Sequence, residues 1–120
     1  MFKNLSPGAI GIRNCTLPQA IQLAKDSGFG GIDFSIREAA DLVASHDLDY
    51  VKNLFASAGV RAGQWGTPVR WQADKEQFQQ DLNDLPALAA LARDLGCTRS
   101  ATWCPPASDE RPFAENLAWH

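Results

Sequence analysis

Apolar residues recur at helical spacing in three parts of the chain, and polar residues that suit a helix start precede two of them. A stripe of this period buries one face of a helix, and a polar cap followed three residues later by Gln can close its first turn. The capping pairs are Thr16 with Gln19 and Asp74 with Gln77. The predicted buried faces are Leu17, Ala20, Ile21 and Ala24; Leu48, Val51, Phe55 and Ala58; and Phe78, Leu82, Leu85, Leu88, Ala92 and Leu95.

Short apolar runs between these helices predict strands at residues 8–13, 31–35, 60–65 and 98–103. Nearly continuous apolar character is typical of parallel strands that are covered on both faces. The segment 36–45 is predicted to be a loop with a helical turn, and Pro112 suits the first turn of a last helix.

Three joins between a helix and the next strand repeat one pattern. LAKDSGFGGIDFS, LFASAGVRAGQW and LARDLGCTRSATW each place a glycine after the helix, at Gly28, Gly59 and Gly96. Gly adopts the left-handed conformation that ends many helices. The glycines lie 31 and 37 residues apart, about one βα unit, and crossover helices impose parallel strands. The sequence therefore predicts an α/β fold, the first four βα units of a TIM barrel, with parallel strands and outer helices.

The length limits how much of a barrel this chain can form. An eight-fold barrel takes roughly 250 residues, whereas this sequence has 120. We expect residues 1–120 to form a single partial (βα)₄ domain, truncated before strand five.

Charge and composition narrow the function classes. The net charge is −3 and the 11 basic residues are scattered, so no basic patch indicates nucleic acid. The apolar runs are too short to span a membrane, no signal-peptide stretch is present, and the three cysteines show no CxxC spacing. These features favour a cytoplasmic protein with reduced thiols and no membrane partner.

In parallel βα folds the functional site lies where the strands end. The candidate substrate-binding residues at those ends are Arg13, Asp33, Gln64, Trp65 and Trp103. Two rigid indole rings beside polar groups suit the C–H face of a sugar. The alternative for both Trp residues is a place in the core.

Asp33 and Arg13 also have structural alternatives. A charge on an apolar strand needs a partner, so Asp33 either binds a substrate hydroxyl or forms an ion pair with Arg13 or Arg61. Arg13 either holds a phosphate or forms such a pair, and Gln64 is a neutral hydrogen-bonding group.

Metal ligation and nucleophilic catalysis lack the necessary residues. His46 and His120 are the only histidines, and neither lies at a predicted strand end. Asp33 has no ligand partner at a suitable spacing. Cys104 has no nearby His to activate it, so a buried inert thiol is the better reading. We therefore expect no metal or cofactor bound by this chain alone, and no catalytic residue is assigned.

GFGGIDFS, GVRAGQWGTPV, DLNDLPALAALARDLGCTRSATWCPP and PFAENLAWH together resemble the first half of a sugar phosphate isomerase or epimerase of the xylose isomerase-like barrel superfamily. The resemblance implies proton transfer next to a carbonyl, assisted by a divalent metal that later strands would bind. Asp33 matches the acidic residue at the end of strand two, and Trp65 and Trp103 match strand ends that line the site. Many relatives have His at the end of strand three, where this chain has Gln64, Trp65 and Gly66.

Two functions are therefore expected. The first is the amino-terminal portion of a sugar or sugar phosphate isomerase or epimerase, inactive without the rest of the barrel. The second is a non-catalytic half-barrel module that forms a homo-oligomer through its open sheet edges. A DNA-repair nuclease of the same superfamily is disfavoured by the acidic charge balance.

Overall fold

The computed structural model describes residues 1–71, 73–102 and 112–119 of the chain. Strands and helices alternate along most of that length. The strands are β1 (Asn4–Leu5), β2 (Gly31–Phe34), β3 (Arg61–Gly66) and β4 (Ser100–Ala101). The helices are α1 (Leu17–Asp26), α2 (Ile36–Ser45), α3 (Leu48–Ala58), α4 (Lys75–Asp94) and α5 (Phe113–Trp119), with a short 3₁₀ helix at Pro7–Ile10.

The four strands form one sheet in the order β1-β2-β3-β4, and every pairing is parallel. Leu5 pairs with Ile32, Asp33 with Gln64 and Phe34 with Trp65, and the β2–β3 register shifts between Ile32 and Asp33. This open parallel sheet with helices confirms the predicted α/β half-barrel.

One face of the sheet carries the apolar core. Leu5, Ile32 and Phe34 are buried on it, and the Phe34 ring meets Phe55 of α3 edge to face, with centroids 5.8 Å apart. Neighbouring strand residues in register point to the same side, so Trp65, which pairs with Phe34, belongs to this helix-covered face. The opposite face carries Asn4 and Asp33.

The predicted helix ends agree closely with the structure. Thr16 and Gln19 form a complete capping box at α1, and Asp74 caps α4 by accepting a hydrogen bond from the Gln77 backbone N–H at 2.8 Å. The predicted face of α1 is buried. On α4 the buried residues are Phe78, Leu88 and Ala92 together with Asp81, which the pattern had not included.

Two predicted elements were wrong. Residues 8–13 do not form the first strand: Pro7 begins the 3₁₀ helix, Gly11 ends it at φ 84°, and β1 lies earlier. Among the residues of β1 and the 3₁₀ helix, only Leu5 has a buried side chain, and it lies on the helix-covered face of the sheet. Segment 36–45 is the regular helix α2, since Ser35 caps it and its Ile36 and Ala39 are buried.

The remaining differences are smaller. Strand four is shorter than predicted, and of the described residues 98–102 only Ser100 and Ala101 are paired. Trp103 and Cys104 lie outside the described residues. Within the described part of the chain, every helix is too short or too polar to cross a bilayer.

Candidate functional site

A cleft of about 520 Å³ opens where β1 and β2 end. The 3₁₀ helix, the loop that follows it and the first turns of α1 and α2 surround the cleft. It brings together the predicted residues Arg13 and Asp33. The other polar residues that line it are Ser6, Cys15, Ser35 and Glu38.

Asp33 is held by an amide rather than by an ion pair. The Asn4 side-chain Nδ2 donates a hydrogen bond to Asp33 Oδ1. The predicted alternative, an ion pair with Arg13 or Arg61, does not form between these described residues. The Arg61 guanidinium instead lies over the Phe2 ring, 5.2 Å from its centroid. One carboxylate oxygen of Asp33 therefore has a protein partner, while Oδ2 has none among the described residues.

Two glycines make room for Asn4. A Cβ at Gly31 would lie 2.7 Å from the Asn4 side-chain oxygen, and one at Gly63 would collide with the same oxygen. Such approaches cannot be accommodated without a backbone or side-chain shift. Gly31 and Gly63 therefore allow the amide to reach Asp33 across the sheet.

Arg13 is exposed in the cleft and forms no ion pair with any described residue. A guanidinium donates up to five hydrogen bonds in a planar fork that matches carboxylate and phosphate groups. Its donors are therefore available to an anionic or oxygen-rich ligand.

Gln64 lies beside Asp33 but Trp65 does not. Gln64 pairs with Asp33 in the β2–β3 register and is half-buried, although it does not line the cleft. Trp65 is only 6% exposed and packs in the core cluster, a position that matches the core alternative. Contact between Trp65 and a substrate stays a prediction, and Trp103 lies outside the described residues.

Glu38 was missed because its helix was predicted to be a loop. Its Oε1 accepts a hydrogen bond of 2.6 Å from the backbone N–H of Leu17, the first residue of α1. The Glu38 backbone N–H in turn donates to the Ser35 hydroxyl at 3.3 Å. The Ser-x-x-Glu spacing is a helix-start signal that could have indicated both α2 and this carboxylate.

A second group that was not identified from the sequence lies next to the loop that follows the carboxyl end of β3. Asp81 of α4 is 1% exposed and is the buried charged residue of the described chain. Arg70 donates to it three times, from its backbone N and Nε at 2.9 Å and from Nη2 at 2.8 Å. Arg37 of α2 donates at 3.3 Å and Gln77 at 3.2 Å.

This arrangement joins three parts of the fold. Asp81 connects α4 to the loop after β3 through Arg70 and to the first turn of α2 through Arg37, which also donates to the Pro68 carbonyl at 3.4 Å. The hydrogen bonds from Arg70 are the main reason that the pKa of the Asp81 carboxyl lies well below its usual range. Asp81 thus stays ionised and fixes loops that border the strand ends.

The described residues do not supply a metal centre. No three His, Cys, Asp or Glu side chains among residues 1–71, 73–102 and 112–119 lie close enough to hold an ion. His46 ends α2 and stacks on Tyr50, with ring centroids 4.1 Å apart. The described lining of the cleft offers hydrogen-bonding groups and charged side chains.

No protein-family model and no curated protein matches the sequence. Solved structures do match the fold. A xylose isomerase domain protein from Alicyclobacillus acidocaldarius superposes with a TM-score of 0.77 at 24% identity, covering 97% of this chain and 42% of its own length. The chain therefore has the fold of part of a TIM barrel.

Two further solved structures share the fold of this chain. The probable 3-DHS dehydratase AsbF from Bacillus anthracis has a TM-score of 0.64 at 14% identity, covering 99% of this chain and 44% of that one. A xylose isomerase-like TIM barrel fused to a 4-hydroxyphenylpyruvate dioxygenase has a TM-score of 0.61 at 16% identity, covering 98% and 19%. The chain therefore spans less than half the length of each of these structures.

Proposed function

We propose that this xylose isomerase-like chain is the amino-terminal part of a sugar or sugar phosphate isomerase or epimerase, which transfers a proton next to a carbonyl. The observation that carries the proposal is the cleft at the ends of β1 and β2, which Arg13 and Asp33 both line without forming an ion pair with each other. Strand ends are where such barrels place their chemistry. A xylose isomerase domain protein among the similar structures supports the substrate class.

Each proposed role follows from the contacts of the residue. Asn4 occupies Asp33 Oδ1, so Oδ2 accepts a hydrogen bond from a sugar hydroxyl. Arg13 binds the phosphate or another oxygen of the substrate, and Gln64 contributes an amide on the same sheet face as Asp33. Trp103 remains the proposed aromatic wall.

The described residues do not fit a divalent metal, and no step of the proposal passes through one bound to them. By the resemblance to metal-assisted isomerases, we infer that such a metal would be bound by the rest of a complete barrel. The residues of this chain would bind and orient the sugar against it.

Deuterium exchange tests the proposal without knowledge of the sugar. Isomerisation and epimerisation both remove a proton next to a carbonyl, so turnover in D₂O labels that carbon. The gene product that contains this sequence is incubated with aldoses, ketoses and their phosphates in the presence of Mg²⁺ or Mn²⁺, and labelling is followed by proton NMR.

We expect labelling of one sugar class, a loss of at least about tenfold in kcat/KM for Asp33→Asn and Arg13→Gln, and no change for the control Arg93→Gln. Arg93 is exposed and pairs only with its neighbour Asp94 in the described chain. Absence of labelling with every sugar, or equal rates for all three variants, would contradict the proposal.

A second function has its own observation. β1 pairs only with β2 and β4 only with β3 in the described sheet, so both outer strands present unpaired backbone groups that can recruit another strand. The chain would then act as a half-barrel that assembles with a second copy. Light scattering coupled to size exclusion decides this, because a monomer that unfolds cooperatively would eliminate self-assembly.

A further inference from the structure

A second cavity, of about 480 Å³, opens at the opposite end of the sheet from the Arg13–Asp33 cleft. Its origin is the short pairing of β3 with β4, which starts only at Trp65 and Ser100. The first residues of β3, Arg61 to Gly63, are therefore separated from the segment 95–99, and the cavity lies between them. Its volume is in the range of small-molecule sites.

The charge around this cavity has one sign. Lys52 of α3, Arg61 of β3 and Arg99 line it, and its lining contains no Asp or Glu. None of the three cations forms an ion pair within the described part of the chain, whereas Arg37, Arg70 and Arg93 all do. In a chain of net charge −3, three unpaired cations at one cavity create a local positive potential.

The ends of the neighbouring helices do not account for all three charges. Cations are favourable near helix C-termini, where α3 and α4 end before Arg61 and Arg99. Lys52, however, lies in the first half of α3, away from its last turn. The Arg61 guanidinium is positioned by the Phe2 ring, which leaves the edges of the guanidinium group free to donate.

We propose that this cavity binds the dianionic phosphate group of a small metabolite. Arg and Lys donors from α3, β3 and the segment before β4 line one cavity, and charge-assisted hydrogen bonds from such donors to phosphate are strong. Phe2 and Phe55 provide an apolar wall for the rest of the ligand. Such a site is separate from the proposed sugar cleft and would make the protein responsive to a phosphorylated compound.

The test is an NMR titration of the ¹⁵N-labelled chain with inorganic phosphate at low salt, repeated with ribose 5-phosphate and with ribose. Gly63 and Gly96 line this cavity, and Gly8 lines the other cleft, so three glycine amides report which one is occupied. We expect both phosphates to shift Gly63 and Gly96, equally in the parent chain and in Arg13→Gln, and we expect ribose to shift neither of these two glycines.

Substitutions separate this site from general attraction to positive charge. Arg99→Gln and Lys52→Gln should each weaken phosphate binding by about tenfold, the scale of one charge-assisted contact. Arg93→Gln, which removes the same charge outside the cavity, should change it less than about twofold. Each variant is first shown to keep the glycine resonances of the parent chain.

Three results would overturn the proposal. Shifts at Gly8 that disappear in Arg13→Gln, with Gly63 and Gly96 unshifted, would place the phosphate in the sugar cleft alone. An equal loss in Arg93→Gln would indicate non-specific attraction, and no shift at any of the three glycines would exclude the site. The proposed isomerase or epimerase function is tested separately by sugar turnover, so none of these three results decides it.

Discussion

Asp81→Asn is expected to be the most destabilising conservative substitution among the residues near the carboxyl end of β3. The carboxylate accepts five hydrogen bonds from described residues, two at Oδ2 and three at Oδ1. An Asn side chain keeps one oxygen and replaces the other with an NH₂ group. At least two of the five bonds are therefore lost, and a donor then faces donors.

The magnitude follows from the exposure of the partners. Hydrogen bonds to a charged group contribute about 1.5–3 kcal/mol each when buried. The Arg37 and Arg70 side chains are 43% and 61% exposed, so both guanidinium groups regain water when the carboxylate is lost. We therefore expect the loss of these two hydrogen bonds to lower the free energy of unfolding by about 2–4 kcal/mol, which is less than two fully buried bonds would contribute.

The assay is urea denaturation followed by circular dichroism at pH 7, with Asp84→Asn as the matched control. Asp84 lies on the same helix and is 41% exposed, and its Arg37 contact is 3.4 Å long. Removing that charge should cost less than about 1 kcal/mol. Equal losses for the two variants would refute the argument that Asp81 holds these elements together.

The pH dependence gives an independent check. The pKa of Asp81 is lower in the folded chain than the ordinary value of about 3.9 that applies when unfolded. Its stabilising effect is therefore complete above about pH 4 and is lost as pH falls toward the folded pKa. The difference in stability between the parent chain and Asp81→Asn should narrow below pH 4, and a difference that stays constant to pH 2 would contradict the assignment.

Two further substitutions test other parts of the structure. Gly63→Ala should lower the free energy of unfolding by about 1–3 kcal/mol because its Cβ collides with Asn4; Asn4→Ala should remove most of that penalty, and purely additive losses in the double variant would argue against the collision. Thr16→Ala should cost about 1 kcal/mol through loss of the α1 cap, measured by thermal unfolding, and a change below about 0.3 kcal/mol would show that the cap contributes little.

Features that depend on neighbouring residues could be predicted from the sequence. Thr16 and Asp74 cap their helices through backbone groups three residues away. Gly28, Gly59 and Gly96 all adopt positive φ. The order of helices and strands, and with it the parallel half-barrel, follows from such local signals and from the crossover rule.

Features that depend on distant pairing could not. The first strand is Asn4–Leu5 rather than 8–13 because Leu5 pairs with Ile32. No residue near Leu5 in the sequence indicates that pairing. The start of α2 has a local signal in Ser35 and Glu38, but the burial of Ile36 and Ala39 depends on the rest of the fold. Trp65 lies in the core because the β2–β3 register places it beside Phe34.

Local sequence signals indicate candidate binding residues, and the packing of strands and helices brings some of them together. Both Arg13 and Asp33 are predicted to lie at strand ends; Asp33 does lie on β2, whereas Arg13 follows the 3₁₀ helix, and the fold places both in one cleft. The partner of Asp33 is Asn4, 29 residues away, and Asp81 is joined to Arg37 across 44 residues. Side-chain contacts over such separations depend on how strands and helices pack, which local periodicity and capping do not encode.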